Sequence, residues 1–175
     1  DRIEWALLQQ AIKLNIPIVG ICRGAQFLHV MNGGELWQHV EGHGGADHMI
    51  YDIDDDVYLM ANSYHHQMLQ LNQQIELIAC CEDQVSKIFK SEDLFINLAK
   101  EGSNAAAELE IEAGAYTKTR CFFVQGHPEV GNPEYRSWCM QKFKDFVEGY
   151  STWHTNRPSD PDEDMAAWSA AREAS

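Results

Sequence analysis

Apolar positions in the first fourteen residues recur at helical spacing. Trp5, Leu8 and Ile12 share one face, with Ile3, Leu7 and Leu14 beside it. Asn15, followed by Ile16 and Pro17, ends that helix. The next residues, IPIVGI, form a short, continuously apolar and β-branched run, the pattern of a parallel strand covered on both faces. A second helix is predicted from about Arg23 to Met31, stopped by Asn32, Gly33 and Gly34. Helix, buried strand, tight turn and helix together predict an α/β fold.

The pattern then changes. Residues 35–56 are rich in glycine, histidine and acids, and read as loops and short strands. Strand patterns return at residues 75–81 (IELIACC), at 107–116 with Leu109, Ile111 and Ala113 alternating, and at 120–125 (RCFFVQ), while residues 85–99 fit neither template. A last helix is clearly marked. Asn132 can cap it, Pro133 suits its first turn, and Tyr135, Trp138, Cys139, Phe143, Phe146 and Tyr150 follow an apolar face. The expectation is a catalytic domain over residues 1–150 and a polar, acidic tail over 151–175.

Composition narrows the class. A chain of 175 residues with 45% hydrophobic content suits one domain with a sizeable core. A net charge of -14 argues against nucleic acid or an anionic membrane as partner, and no apolar stretch approaches the roughly 20 residues a membrane helix needs. The five cysteines (Cys22, Cys80, Cys81, Cys121 and Cys139) are odd in number and form no CxxC pair. That excludes a sequence-evident disulfide framework and points to reduced thiols in the cytoplasm.

The sharpest chemical signal is Gly20-Ile21-Cys22-Arg23-Gly24, where a buried strand passes at once into a helix. In G-x-S-x-G hydrolases this spacing makes a sharp turn that presents the nucleophile to open space. A cysteine there lies near a helix N-terminus, whose partial positive charge favours thiolate. The Arg23 backbone N–H can donate to an oxyanion. A small buried cysteine at a close strand–helix contact would read the same way. A second apolar strand ends in Gly126-His127-Pro128-Glu129. A nucleophilic cysteine needs an imidazole and a third group to orient it, and His127 with Glu129 supplies both.

Taken together, PIVGICRGAQ, GGELWQHV, NSYHHQ and VQGHPE resemble the triad (class I) glutamine amidotransferases, and within them the γ-glutamyl hydrolase branch typified by γ-glutamyl-γ-aminobutyrate hydrolases (peptidase C26). The resemblance runs over residues 1–148. It implies a three-layer α/β sandwich with a mostly parallel, flavodoxin-like central sheet. It implies Cys22 as nucleophile, His127 as general base and acid, and Glu129 as the orienting carboxylate. Arg23, Gln26, Ser63 and Tyr64 are the implied substrate-binding positions, with the Arg23 N–H in the oxyanion hole. No metal or organic cofactor is implied. The implied substrate is a γ-glutamyl amide or glutamine. Two alternatives stay open: a glutaminase subunit that passes ammonia to a separate synthetase, and a non-catalytic binding or regulatory module. Family members carry a strand–helix–strand region, with an oxyanion-hole loop, ahead of the position of Asp1. The expectation is that these residues precede Asp1 in the natural protein and that the fold is N-terminally incomplete without them.

Other features carry weaker signals. His39, His43, His48, His65 and His66, with Asp47 and Asp52, lack H-E-x-x-H or another ligand grammar and are read as loop and packing residues. The stretch DIDDDV fails as a calcium loop because Val57 stands at the glycine position and Ser63 at that of the bidentate glutamate, so a solvated turn is expected.

Overall fold

A computed structural model describes residues 2–98 and 108–148. The expected tail at 151–175, and Tyr150, lie outside the described residues. The predicted first helix is α1 (Arg2–Lys13), the apolar run is β1 (Ile18–Ile21), and the second helix is α2 (Arg23–Met31). Short strands β2 (Leu36–Trp37) and β3 (His39–Val40) follow, then β4 (His48–Asp52), β5 (Val57–Ala61), β6 (Met68–Leu69) and β7 (Glu76–Cys81). The ambiguous stretch forms β8 (Ile88–Lys90) and β9 (Phe95–Asn97). The last strands are β10 (Ile111–Tyr116) and β11 (Cys121–Val124), and α3 (Pro133–Glu148) ends the described chain.

Six strands form the central sheet in the order β1-β11-β10-β7-β4-β5. Its directions correct the expectation of a mostly parallel sheet. Only β1 and β11 run parallel; β11–β10, β10–β7, β7–β4 and β4–β5 are all antiparallel. The cause is the length of the connections. A parallel pair needs a long crossover, whereas Thr117–Thr119 and Arg120 (φ 53°) turn β10 straight into β11, as residues 53–56 turn β4 into β5. The sheet is therefore mixed. Two small sheets, β2-β6 and β3-β8-β9, pack beside it around Trp37, Val40, Met68 and Phe89.

Helices cover both faces of the central sheet, which makes the α/β sandwich. β11 shows why its sequence is apolar throughout: Phe122 and Val124 pack toward α3, whereas Cys121 and Phe123 pack toward α2. All four are fully buried, and each phenylalanine contributes roughly 1.5–3 kcal/mol by leaving water. On α3, Tyr135, Trp138, Cys139 and Phe146 are buried as the pattern predicts, and Asn132 Oδ1 caps the helix by accepting the Tyr135 N–H at 2.8 Å. α1 is looser than its stripe suggests. It buries no residue, touching the core through Leu8 and Phe27 through Trp5.

The acidic stretch after β4 is only partly the expected solvated turn. Asp52 is fully buried. Its carboxylate accepts the backbone N–H groups of Asp54 and Asp55, the Trp138 indole N–H at 2.7 Å and the Lys142 ammonium at 2.7 Å. One carboxylate thus ties the β4–β5 turn to α3.

Candidate active site

Cys22 is the N-cap of α2 and sits at φ 49°, ψ -108°, outside the ordinary regions for a non-glycine residue. Two backbone bonds hold it there: the Cys22 N–H donates to Val124 O at 2.9 Å, and its carbonyl accepts the Gln26 N–H at 3.1 Å. Gly20 allows the close strand–helix approach. A Cβ there would stand 2.6 Å from Leu28 Cδ1 and 2.8 Å from the Gly24 backbone. Gly24 itself faces open space, so the steric demand falls on the first glycine of the pair. The strained turn half-exposes the sulfur beside the Arg23 N–H, as the pentapeptide suggested.

The thiol's acidity departs from expectation. Burial pushes the Cys22 thiol up, the Arg23 backbone N–H pulls it down, and the charges of Glu129 and Glu112 push it up again. The upward direction corrects the expectation of a thiolate stabilised by the helix end. A resting thiol of this kind needs a base at the moment of attack.

The candidate base, His127, stands at the neighbouring strand end. Ile21 is in register with Val124, so both strands leave the sheet on the same edge and the loop after β11 begins beside Cys22. In this loop His127 Nδ1 bonds Glu129 Oε1 at 2.6 Å, which leaves Nε2 for proton transfer. The bond to His127 holds the Glu129 carboxyl below its usual range. Gly126 makes room for Tyr135 and the Asn62 carbonyl at the start of the loop.

Sequence reasoning missed the residue that fixes the loop. The buried Asn62 side chain brackets the His127 peptide: Oδ1 accepts the His127 N–H at 2.7 Å, and Nδ2 donates to the His127 carbonyl at 2.9 Å. Its position beside Ser63 and Tyr64 was the available signal. Tyr64 is exposed, with its ring edge-on to His127 at 6.0 Å between centroids. Ser63 is fully buried, and its hydroxyl donates to the His43 carbonyl at 2.8 Å, so its side chain belongs to the layer behind the site. Gln26 donates to the Gln67 carbonyl at 3.1 Å, tying α2 to the segment after Tyr64. The Arg23 guanidinium pairs with Glu4 on α1 at 3.0 Å, away from the His127 loop.

Behind this surface lies a polar cluster dispersed in sequence. His43, His48 and His65 converge on Glu112, with Cys81 adjoining. His43 stacks on His65 with centroids 4.6 Å apart. Of the five histidines in the loop-rich stretch, these three come together.

Residues 1–60 match the family model described as Peptidase C26. The glutamine amidotransferase-like protein YvdE of Lactococcus lactis subsp. lactis is 30% identical over 114 residues, which are 53% of this chain and 48% of that protein. Over these stretches the chain is similar to glutamine amidotransferase-like proteins and to the Peptidase C26 family. A carbamoyl phosphate synthase small chain from Photobacterium profundum is 37% identical over 54 residues, 31% of this chain and 14% of the relative. Among solved structures, a glutamine amidotransferase from Thermotoga maritima superposes with a TM-score of 0.53 at 17% identity, covering 99% of this chain and 63% of that one. That similarity supports the class I amidotransferase fold. The matches span less than half the length of these curated relatives. No described helix is long and apolar enough to cross a membrane.

Proposed function

We propose that this class I amidotransferase-like chain hydrolyses a γ-glutamyl amide through a γ-glutamyl-thioester on Cys22. What supports the reading is one observation: a strained Cys22 at a strand-to-helix turn, in register with the strand that delivers the His127–Glu129 pair. As the sulfur attacks the amide carbon, its proton passes to His127 Nε2, and the Arg23 N–H faces the developing oxyanion. Glu129 steadies the imidazolium. His127 then gives its proton to the departing nitrogen, leaving a thioester and a free amine. Water attacks the thioester while His127 Nε2 takes its proton; the Cys22 thiol is restored and a free γ-carboxylate leaves. Gln26, Ser63 and Tyr64 are proposed to border the γ-glutamyl group, Ser63 through its backbone. The five free cysteines fit a reducing, cytoplasmic setting.

A glutaminase subunit feeding ammonia to a separate synthetase is the second reading, favoured by the similarity to a carbamoyl phosphate synthase small chain. Amine and ammonia release from γ-glutamyl amides and from glutamine, with and without a candidate synthetase, separates the two. Cys22→Ala is expected to lower either activity by at least about 10³-fold; retained turnover overturns the mechanism. A non-catalytic module would instead show Cys22 reacting with a glutamine-mimicking electrophile no faster than the other four cysteines.

A further inference from the structure

The buried cluster behind the 62–65 segment has the donor set of a metal centre, against the sequence reading that the chain holds none. His43, His48, Cys81 and Glu112 are all buried, and one potential ligand atom from each lies within 4.8 Å of all the others. The donors come from the loop before β4, from β4, from β7 and from β10. The three strands are neighbours in the central sheet, so rigid backbone holds the group. Glu112 Oε1 is the focus: His48 Nε2 stands 3.0 Å away, Cys81 Sγ 3.5 Å and His43 Nδ1 3.8 Å. Tetrahedral zinc, with ligand bonds of about 2.0–2.3 Å, sets neighbouring donors roughly 3.3–3.8 Å apart, so modest adjustment admits the ion.

A second observation points the same way. The His65 side chain is 1% exposed, and its Nδ1 bonds the Gln67 carbonyl at 2.9 Å. A carbonyl only accepts, so Nδ1 carries the hydrogen and the neutral ring turns its Nε2 lone pair toward Glu112 Oε1, 3.9 Å away. That nitrogen has no hydrogen-bond partner, nor has Glu112 Oε2. Two buried acceptors left without donors in one cluster are costly, and a cation bound among them removes that cost. The outer layer is also in place. Glu110 accepts the Val85 and Ser86 N–H groups at 2.7 Å each and meets His43 Nε2 at 3.2 Å. A carboxylate on the far ring nitrogen is the arrangement that aims histidine at a metal. Ser63 keeps its bond to the His43 carbonyl when His43 Nδ1 turns to the ion.

We propose that His43, His48, Cys81 and Glu112 bind one zinc ion as a closed, four-coordinate structural site, with His65 Nε2 lying beside the ligand carboxylate. Imidazole, thiolate and carboxylate together favour zinc over calcium or magnesium, which take oxygen ligands. Binding displaces the Cys81 thiol proton and any proton on His48 to solvent. The ion would brace β4, β7 and β10 behind the segment carrying Asn62 and Tyr64. The proposal is independent of the hydrolase reading.

The test is elemental analysis of the full chain, expressed and purified without chelator. About one equivalent of zinc per chain is expected, falling at least tenfold in Cys81→Ser and in His48→Gln. A second measurement covers variants that do not fold. Cys22→Ala protein is unfolded, stripped of metal and refolded with Co²⁺, and the spectrum should show a thiolate-to-cobalt charge-transfer band. Folded protein with under a tenth of an equivalent of zinc after zinc-supplemented growth, and no cobalt band, overturns the site. So does a zinc content unchanged in folded Cys81→Ser and His48→Gln.

Discussion

Cys22 holds a positive φ only because its neighbours oblige it to. Val124 O anchors its N–H, Gln26 its carbonyl, and the glycine two residues earlier lets α2 sit against β1. The same enclosure raises the thiol's pKa, with burial as the largest cause. A raised thiol pKa means less thiolate at neutral pH, so Cys22 alkylation by iodoacetamide should climb through the alkaline range. Its midpoint should lie above that of an ordinary cysteine, about 8.5; a midpoint near 6 would contradict the geometry. Asn62 matters equally; its place beside Ser63 and Tyr64 marked the stretch, but its role was hidden before folding, because bracketing a peptide far along the chain leaves no local sequence signature. Asn62→Ala leaves both polar groups of His127 without their partners. On the proposed hydrolase reading it is expected to cut γ-glutamyl turnover by about 10²-fold with melting temperature lowered modestly, because a small displacement of the proposed base is enough for that loss. Turnover within twofold of the parent would remove Asn62 from the site.

At the scale of elements, apolar content was easy to read and polar content was not. The runs IPIVGI and RCFFVQ announced buried strands because every residue in them must avoid water. In β10 the alternating apolar residues implied a wet opposite face, yet Glu112 on that face, and Glu110 just before it, are buried against histidines. Alternation reports hydrophobic burial only, so carboxylates sunk among imidazoles escape it. Strand direction was equally hidden, since it depends on how each connection returns. α2 makes a prediction of its own. His29 is fully buried: its Nε2–H donates to the Glu35 carbonyl at 2.8 Å, and its Nδ1 accepts the Tyr116 hydroxyl at 2.6 Å. Burial lowers its pKa to about 4. The unfolded chain therefore binds the proton first, and His29's contribution declines as pH falls from about 6.5 toward 4. Denaturant melts at pH 7 and pH 4.5 should differ less for His29→Gln than for the parent, by roughly 2–3 kcal/mol at most. An unchanged difference would show that His29 is not the titrating group.

At the scale of the whole molecule, the two halves of the candidate site sit on strands of unequal security. Among the described residues β11, which leads to His127, lies between two strands, whereas β1, which leads to Cys22, has a neighbour on one side only. In a parallel pair successive amides point alternately toward and away from the partner; Ile18 and Cys22 donate to β11, so Val19 and Ile21 direct theirs outward. Above β1, α1 buries no residue. Outer strands under thin cover open first. Amide exchange at Val19 and Ile21 should therefore exceed that at Phe122 and Phe123 by at least tenfold, and equal protection would refute this. Wherever β1 keeps this open side, the consequence is two melting points. On warming, the elbow should lose its shape while the sheet, the His127 loop and α3 still hold. Loss of selective Cys22 labelling would then register as heat damage several degrees before circular dichroism reports any.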